Sequence, residues 1–140
     1  MAFGIATTTT NRGKTAMADK WNSSSGGATY SGAPKWAAMG TGATSASRTA
    51  ASGDTQLSLE VETRTAGTMT MQNSSSGGPA GDTAQNVATI TATASRTVDE
   101  YSLNDGSSST SATAQVSATI GAIALAIADS IQFTTKVTFT

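Results

Sequence analysis

The chain has 140 residues, no cysteine, no histidine and a formal net charge of -1. That excludes disulfides, the usual zinc and haem ligand sets and the Ser-His-Asp and Cys-His nucleophiles, and it leaves no basic stripe for nucleic-acid phosphates. Thr, Ala, Ser and Gly make up more than half of the residues, whereas Leu, Ile, Val and Phe together number only 18.

Such a composition would suit a disordered chain if the net charge were high. The charge is nearly balanced and the apolar residues are patterned, so the sequence predicts a folded domain with a thin core. The length fits one domain, read as an extended arm over residues 1–10 and a single β-sandwich over residues 11–140. Without disulfides or metals, a thin core points to association as the source of extra burial.

In chain order, Phe3 and Ile5 precede four threonines, which reads as an extended arm or a simple first strand. Asn11 can cap a short helix in which Met17 and Trp21 share one face. The segment Asn22-Ser23-Ser24-Ser25-Gly26-Gly27 recurs as Asn73-Ser74-Ser75-Ser76-Gly77-Gly78, and both copies have loop composition. Their flanks do not align, so they read as two similar loops rather than a duplication. Lys35 to Met39 reads as a strand ending at Gly40-Thr41-Gly42, followed by a long small-residue loop over residues 43–55.

Alternation returns at Leu57, Leu59, Val61 and Thr63 and resumes at Met69 and Met71, which predicts a hairpin. Further strands are expected over Gln85 to Ala94, over Val98 to Leu103 with a turn at Asn104-Asp105-Gly106, and around Val116 to Ile120. Ile123, Leu125 and Ile127 fit either a strand or a short helix through Ala122 to Ala128. The last stretch places Ile131, Phe133, Thr135, Val137 and Phe139 on one face and Gln132, Thr134, Lys136 and Thr138 on the other. It reads as a long strand at the heart of a sheet. The expected class is all-β: an antiparallel β-sandwich or barrel-like domain with one short N-terminal helix and an extended N-terminal arm.

Motifs for chemistry are sparse. Gly13-Lys14-Thr15 resembles the end of a phosphate loop, but Thr8 stands where its first glycine is needed. Gly40-Thr41-Gly42 fails the dinucleotide fingerprint at Ser45. Glu60/Glu62 and Asp99/Glu100 are the carboxylate pairs that glycoside hydrolysis would require, and a charged solvated or interface-facing row is the simpler reading. Asp54 and Asp82 fit turns or caps. Trp21, Tyr30, Trp36 and Tyr101 suit core or interface anchoring, with a sugar-stacking patch as the alternative. No catalytic residue, metal ligand or cofactor is assigned. Met1 to Ile5 lacks the form of a signal peptide, and the apolar run over residues 116–128 is too short for a membrane helix. The expectation is a soluble chain made and kept in a cytosol or assembled there, with neither nucleic acid nor membrane as partner.

Four segments in order resemble a family of small virion structural proteins of tailed bacteriophages, assigned to tail fibres or to the capsid. They are Asn11 to Asp19, Lys35 to Gly42, Asp54-Thr55-Gln56-Leu57 with Glu60 and Arg64, and Asp129 to Phe133. The chain departs from the family at Asp99-Glu100-Tyr101-Ser102, where a glutamate-x-glycine turn is expected, and its loop at residues 43–53 is longer. The resemblance implies a non-enzymatic structural role, with capsid decoration (cement) proteins alike in size and composition. It implies a place on the outer capsid surface, binding to the major capsid protein and to copies of itself as a trimer or dimer. Phe3, Ile5, Trp21, Trp36 and Phe139 are the candidate assembly contacts, with the arm laced onto a neighbour. The alternatives are a tail or tail-fibre component and a carbohydrate-binding host-attachment module.

Overall fold

A computed structural model describes residues 7–9, 34–43, 49–72, 83–110 and 113–138. Eight strands form in chain order: β1 (Thr7–Thr9), β2 (Trp36–Gly40), β3 (Thr65–Ala66), β4 (Thr68–Gln72), β5 (Thr83–Thr91), β6 (Arg96–Asn104), β7 (Ala114–Leu125) and β8 (Ser130–Thr138). They make two antiparallel sheets, one ordered β1-β7-β6-β2-β3 and the other β4-β5-β8. Neither sheet closes, so the barrel-like alternative is set aside. Among the described residues only Gly42 and Ala43 have helical backbone.

The alanines are explained by cross-strand neighbours. In the five-stranded sheet Tyr101 lies between Met39 and Ala118, and Leu103 between Ala37 and Val116. In the three-stranded sheet Ala88 lies opposite Phe133. Each large side chain has a small one beside it, so few large residues fill the space between the sheets at interior density. That space holds one apolar cluster, built from Ala37, Met39, Val98, Tyr101, Leu103, Val116 and Ala118 on one side and Ala88, Ile90 and Phe133 on the other. The threonines face outward where the strands meet solvent, as at Thr89, Thr91 and Thr134.

The far face of the five-stranded sheet is also buried, and its residues are small or polar: Ala38, Ser102, Asn104, Gln115 and Ser117. Asn104 Nδ2 donates to the Trp36 carbonyl at 3.0 Å and to Ser102 Oγ at 3.0 Å, which satisfies a donor that burial would otherwise penalise. Residues 50–59 tie this face down, since the Ala50 amide donates to Thr119 Oγ1 and the Ala114 amide to the Thr55 carbonyl. β6 and β7 change register midway. Glu100 faces Thr119 and Val98 faces Ile123, so β7 advances four residues while β6 advances two. The irregularity lets Val98 and Tyr101, three apart, both face the core.

Several expectations change. Leu57 to Thr63 is not a strand paired with Met69 and Met71. Only Glu60 bridges, to Gly40, and β4 pairs with β5 instead. The alternation there reflects which side chains are buried or ion-paired, not a ladder. Among the described residues β8 lies at an edge of its sheet, not at the heart. Of its inward row, Phe133 and Thr135 are buried while Ile131 and Val137 are half-buried, so β6 contributes more to the core than β8 does. Residues 122–128 are strand up to Leu125 and then a turn, without a helix. In that turn the Ala126 amide donates to Asp129 Oδ2 at 2.7 Å, and the Ala92 and Ala128 amides close a pair of bonds with Asp129 and Ala92 carbonyls. Thr7 to Thr9 form a first strand on β7. The rest of the expected arm, the helix over residues 11–21 and both Asn-Ser-Ser-Ser loops lie outside the described residues.

Candidate functional site

Charge gathers at one end of the five-stranded sheet. β2 ends at Gly40, opposite Glu100 on β6, and the chain then turns while residues 57–61 run alongside. The Thr41 amide donates to the Leu59 carbonyl at 3.0 Å, and the Val61 amide to the Met39 carbonyl at 3.1 Å. Backbone N–H groups of both segments converge on the Glu100 carboxylate. Its Oε2 accepts from the Gly42 amide at 3.2 Å and the Ser58 amide at 3.1 Å, with the Leu59 amide at 3.4 Å. Beside it, Asp99 Oδ1 accepts from the Ala43 amide at 3.0 Å.

Glu100 is 1% exposed and Asp99 3%. Buried carboxylates are costly unless charge-assisted hydrogen bonds replace water, and converging backbone amides form such an anion seat. Here the seat is occupied from within. The two glycines make it possible by close approach: a Cβ on Gly40 would lie 2.8 Å from Glu100 Oε2, and one on Gly42 would lie 2.8 Å from the same atom and 2.4 Å from Ser58 Cβ. Chemically the cluster is a clasp that holds residues 40–43 and 57–59 to β6.

Next to the clasp is a shallow open groove of about 450 Å³, lined by residues 60–64 and 107–109. Arg64 is buried and forks onto Glu60, with Nε at 2.9 Å from Oε1 and Nη2 at 3.0 Å from Oε2, while Nη1 donates to the Gly106 carbonyl. Glu62 turns to a different partner, accepting from Arg96 Nε at 2.6 Å, the Thr93 amide at 3.0 Å and the Thr93 hydroxyl at 2.8 Å. Burial pushes the Glu62 carboxyl up, but the two Thr93 bonds and Arg96 outweigh it and hold the group below its ordinary value. Each carboxylate in the groove is thus held by its own arginine. Three serines on the facing loop supply hydroxyls.

The residues singled out in the sequence are dispersed by the fold. Glu60 and Glu62 do not form one row beside Arg64, because Glu62 belongs to Arg96. Asp99 and Glu100 lie inside β6, the strand expected over Val98 to Leu103. Tyr101 is fully buried, stacked on Phe133 with its hydroxyl 2.5 Å from Thr135 Oγ1, so it leaves the sugar-stacking set. Trp36 is half-buried, with Lys35 Nζ 5.8 Å from its ring centre. Asp54 caps its own turn, its Oδ2 accepting from the Ala51 amide at 2.9 Å. Phe3, Ile5, Trp21, Tyr30, Asp82 and Phe139 lie outside what is described of the side chains.

Sequence reasoning missed the clasp. Its signal was present: two glycines spaced by one residue at a strand end, and an acidic pair inside the otherwise apolar run Val98 to Leu103. Among the described residues no group of three acidic side chains could hold a metal ion. No family model, curated protein or solved structure matches the chain.

Proposed function

We propose that this chain is a structural protein of a tailed-bacteriophage virion, a decoration (cement) protein that binds the outer shell and ties major capsid protein capsomers together. The fold in this reading is one β-sandwich domain that takes in β1 at Thr7–Thr9 as well as residues 11–140, acting as a trimer or dimer made in the host cytoplasm. The observation that carries it is a thin, alanine-filled core combined with an open sheet edge. β8 is nine residues long, and among the described residues no strand lies on its outer side. An unpaired strand edge offers main-chain hydrogen bonds to a neighbouring chain. Many weak copies of such a contact sum across a shell. The resemblance of the ordered segments supplies the kind of assembly.

Two of those segments have structural roles consistent with this reading. Lys35 to Gly42 leads into the glycine seat of Glu100, and Asp129-Ser130 closes the turn that starts β8. The test is the number of copies per purified virion, by quantitative mass spectrometry with imaging of their position. A number comparable to that of the major capsid protein is expected. A copy number far below it, or location at the tail, sinks the capsid reading and favours a tail component.

A second reading, a carbohydrate-binding module for host attachment, draws on the polar groove beside Arg64 and its serine loop. A glycan-binding screen with Arg64→Ala as control separates the two, and absence of binding by the wild type removes it.

A further inference from the structure

Both walls of the groove beside the clasp are tied down by the protein itself. One wall is Glu60 to Arg64, joined to β2 by the bridge from Glu60 to Gly40 and to the start of β6 by the bonds of Glu62 with Thr93 and Arg96. The other is Ser107 to Ser109, on the loop that leaves β6. Arg64 Nη1 holds that loop at the Gly106 carbonyl. Asp105 holds its base. The Asp105 amide donates to the Thr113 carbonyl at 3.2 Å, and its carboxylate accepts from the Thr113 amide at 2.6 Å and from Gln115 Nε2 at 3.2 Å. The volume between the walls, about 450 Å³, falls within the roughly 300–1,000 Å³ of small-molecule sites.

The hydrogen-bonding capacity left in the groove decides what fits it. Arg64 is committed to Glu60 and Gly106 and its side chain is 1% exposed, so it presents no cation to a ligand. The Glu60 side chain is 14% exposed. Among the described residues its Oε1 accepts only from Arg64 Nε, and a carboxylate oxygen accepts about two bonds. Ser107 and Ser109 are exposed, and each hydroxyl both donates and accepts. Glu60 and Glu62 are each matched by an arginine, so the groove has no charge to spare. Its lining has no aromatic ring, and Val61 is its one large apolar side chain. A ligand held here must be rich in hydroxyls and uncharged.

We propose that this groove binds a neutral saccharide, with sugar hydroxyls donating to Glu60 Oε1 and exchanging hydrogen bonds with Ser107 and Ser109. This rests on the carbohydrate reading of the groove and names the class of sugar. An acidic sugar sets its carboxylate against Glu60 with no open cation in the lining to answer it. An amino sugar gains little, because Arg64 already neutralises Glu60.

The test titrates the isotope-labelled full chain with three trisaccharides, followed by the amide NMR signals of Glu60–Arg64 and Ser107–Ser109. Neutral maltotriose is expected to shift these signals along one saturating curve. Acidic trigalacturonate and the amine-bearing glucosamine trimer are expected to bind about tenfold more weakly or less. Ser107→Ala/Ser109→Ala should weaken maltotriose binding by about tenfold for two lost hydrogen bonds, with the thermal midpoint unchanged. Tighter binding of either charged sugar overturns the neutral class and leaves the carbohydrate reading standing. Maltotriose binding that the double variant leaves unaltered overturns the assignment to this groove. No shift with any of the three overturns the inference and the carbohydrate reading together.

Discussion

The Tyr101 ring lies on the Phe133 ring, with centroids 4.4 Å apart and planes at 27°. The contact joins β6 of one sheet to β8 of the other, and both side chains are buried. An offset aromatic pair of this kind adds to the stabilisation from buried area alone. The cross-strand neighbour Ala88 is too short to fill the space that Phe133 occupies. Phe133→Ala is expected to cost about 3–5 kcal/mol by urea unfolding, a large share of the stability of a small domain. A change below about 1 kcal/mol would show that the two sheets are held together elsewhere.

Tyr101 also makes stability depend on alkaline pH. Burial pushes its hydroxyl up to about 12, partly offset by the Thr135 hydrogen bond. The unfolded tyrosine titrates near 10. Between the two values the unfolded chain has released the proton and the native chain still holds it, so stability falls as pH rises through that window. The loss should approach 2–3 kcal/mol, on the order of 1.36 kcal/mol per unit. Tyr101→Phe should flatten this slope while costing about 1 kcal/mol at neutral pH for the lost hydrogen bond. Unfolding curves for both proteins from pH 8 to 12 would show it.

The glycine seat gives a steric prediction. In Gly42→Ala the new methyl meets Ser58 Cβ and Glu100 Oε2 inside contact distance, so the clasp must open or shift, at about 1–3 kcal/mol. Glu100→Ala removes the acceptor of the Gly42 and Ser58 amides and is expected to cost about 2–4 kcal/mol. If the two substitutions act on the same clasp, the double variant should cost clearly less than their sum. Full additivity in thermal or urea unfolding would separate Gly42 from Glu100.

Arg64 and Glu60 form a forked pair in which the arginine side chain is only 1% exposed. Arg64→Ala leaves Glu60 half-buried without its partner and frees the Gly106 carbonyl, for an expected loss of about 3 kcal/mol. Glu62→Gln should be milder, since glutamine keeps the shape of the side chain and an oxygen that accepts from Thr93 or Arg96. Its lowered ionisation favours the native state above the unfolded value of roughly 4.3 and the benefit is lost as pH falls through the folded value. Urea unfolding midpoints of wild type and Glu62→Gln, measured at a series of pH values, would therefore converge as pH falls.

Where one face of a strand met the core and the other met solvent, the alternation read true. β5 buries Ala88 and Ile90 and exposes Thr89 and Thr91, and β8 buries Phe133 and exposes Gln132 and Thr134. The strand ending at Gly40, the Asn104-Asp105-Gly106 turn and the entry to β8 at Asp129-Ser130 were also legible, because their residue types punctuate locally. Leu57 to Thr63 misled, since its alternate side chains answer to a pocket and two arginines instead of a partner strand. The pairing of β4 with β5 and of β5 with β8 depends on contacts far apart in sequence, which no local pattern encodes. Of the candidate site, only the glycine spacing and the acidic pair were visible. Their meeting depends on the strand order that sets β2 beside β6.

The five-stranded sheet covers two unlike layers, an apolar one against β5 and β8 and a small polar one around Ser102, Asn104 and Ser117. Unfolding hydrates both. Newly wetted apolar surface raises the heat capacity, while newly wetted polar surface lowers it. With so much of the buried interior in the second class, the two contributions oppose each other more than in a domain with one oily core. The stability curve of this protein should accordingly be shallow, changing little between low and moderate temperatures.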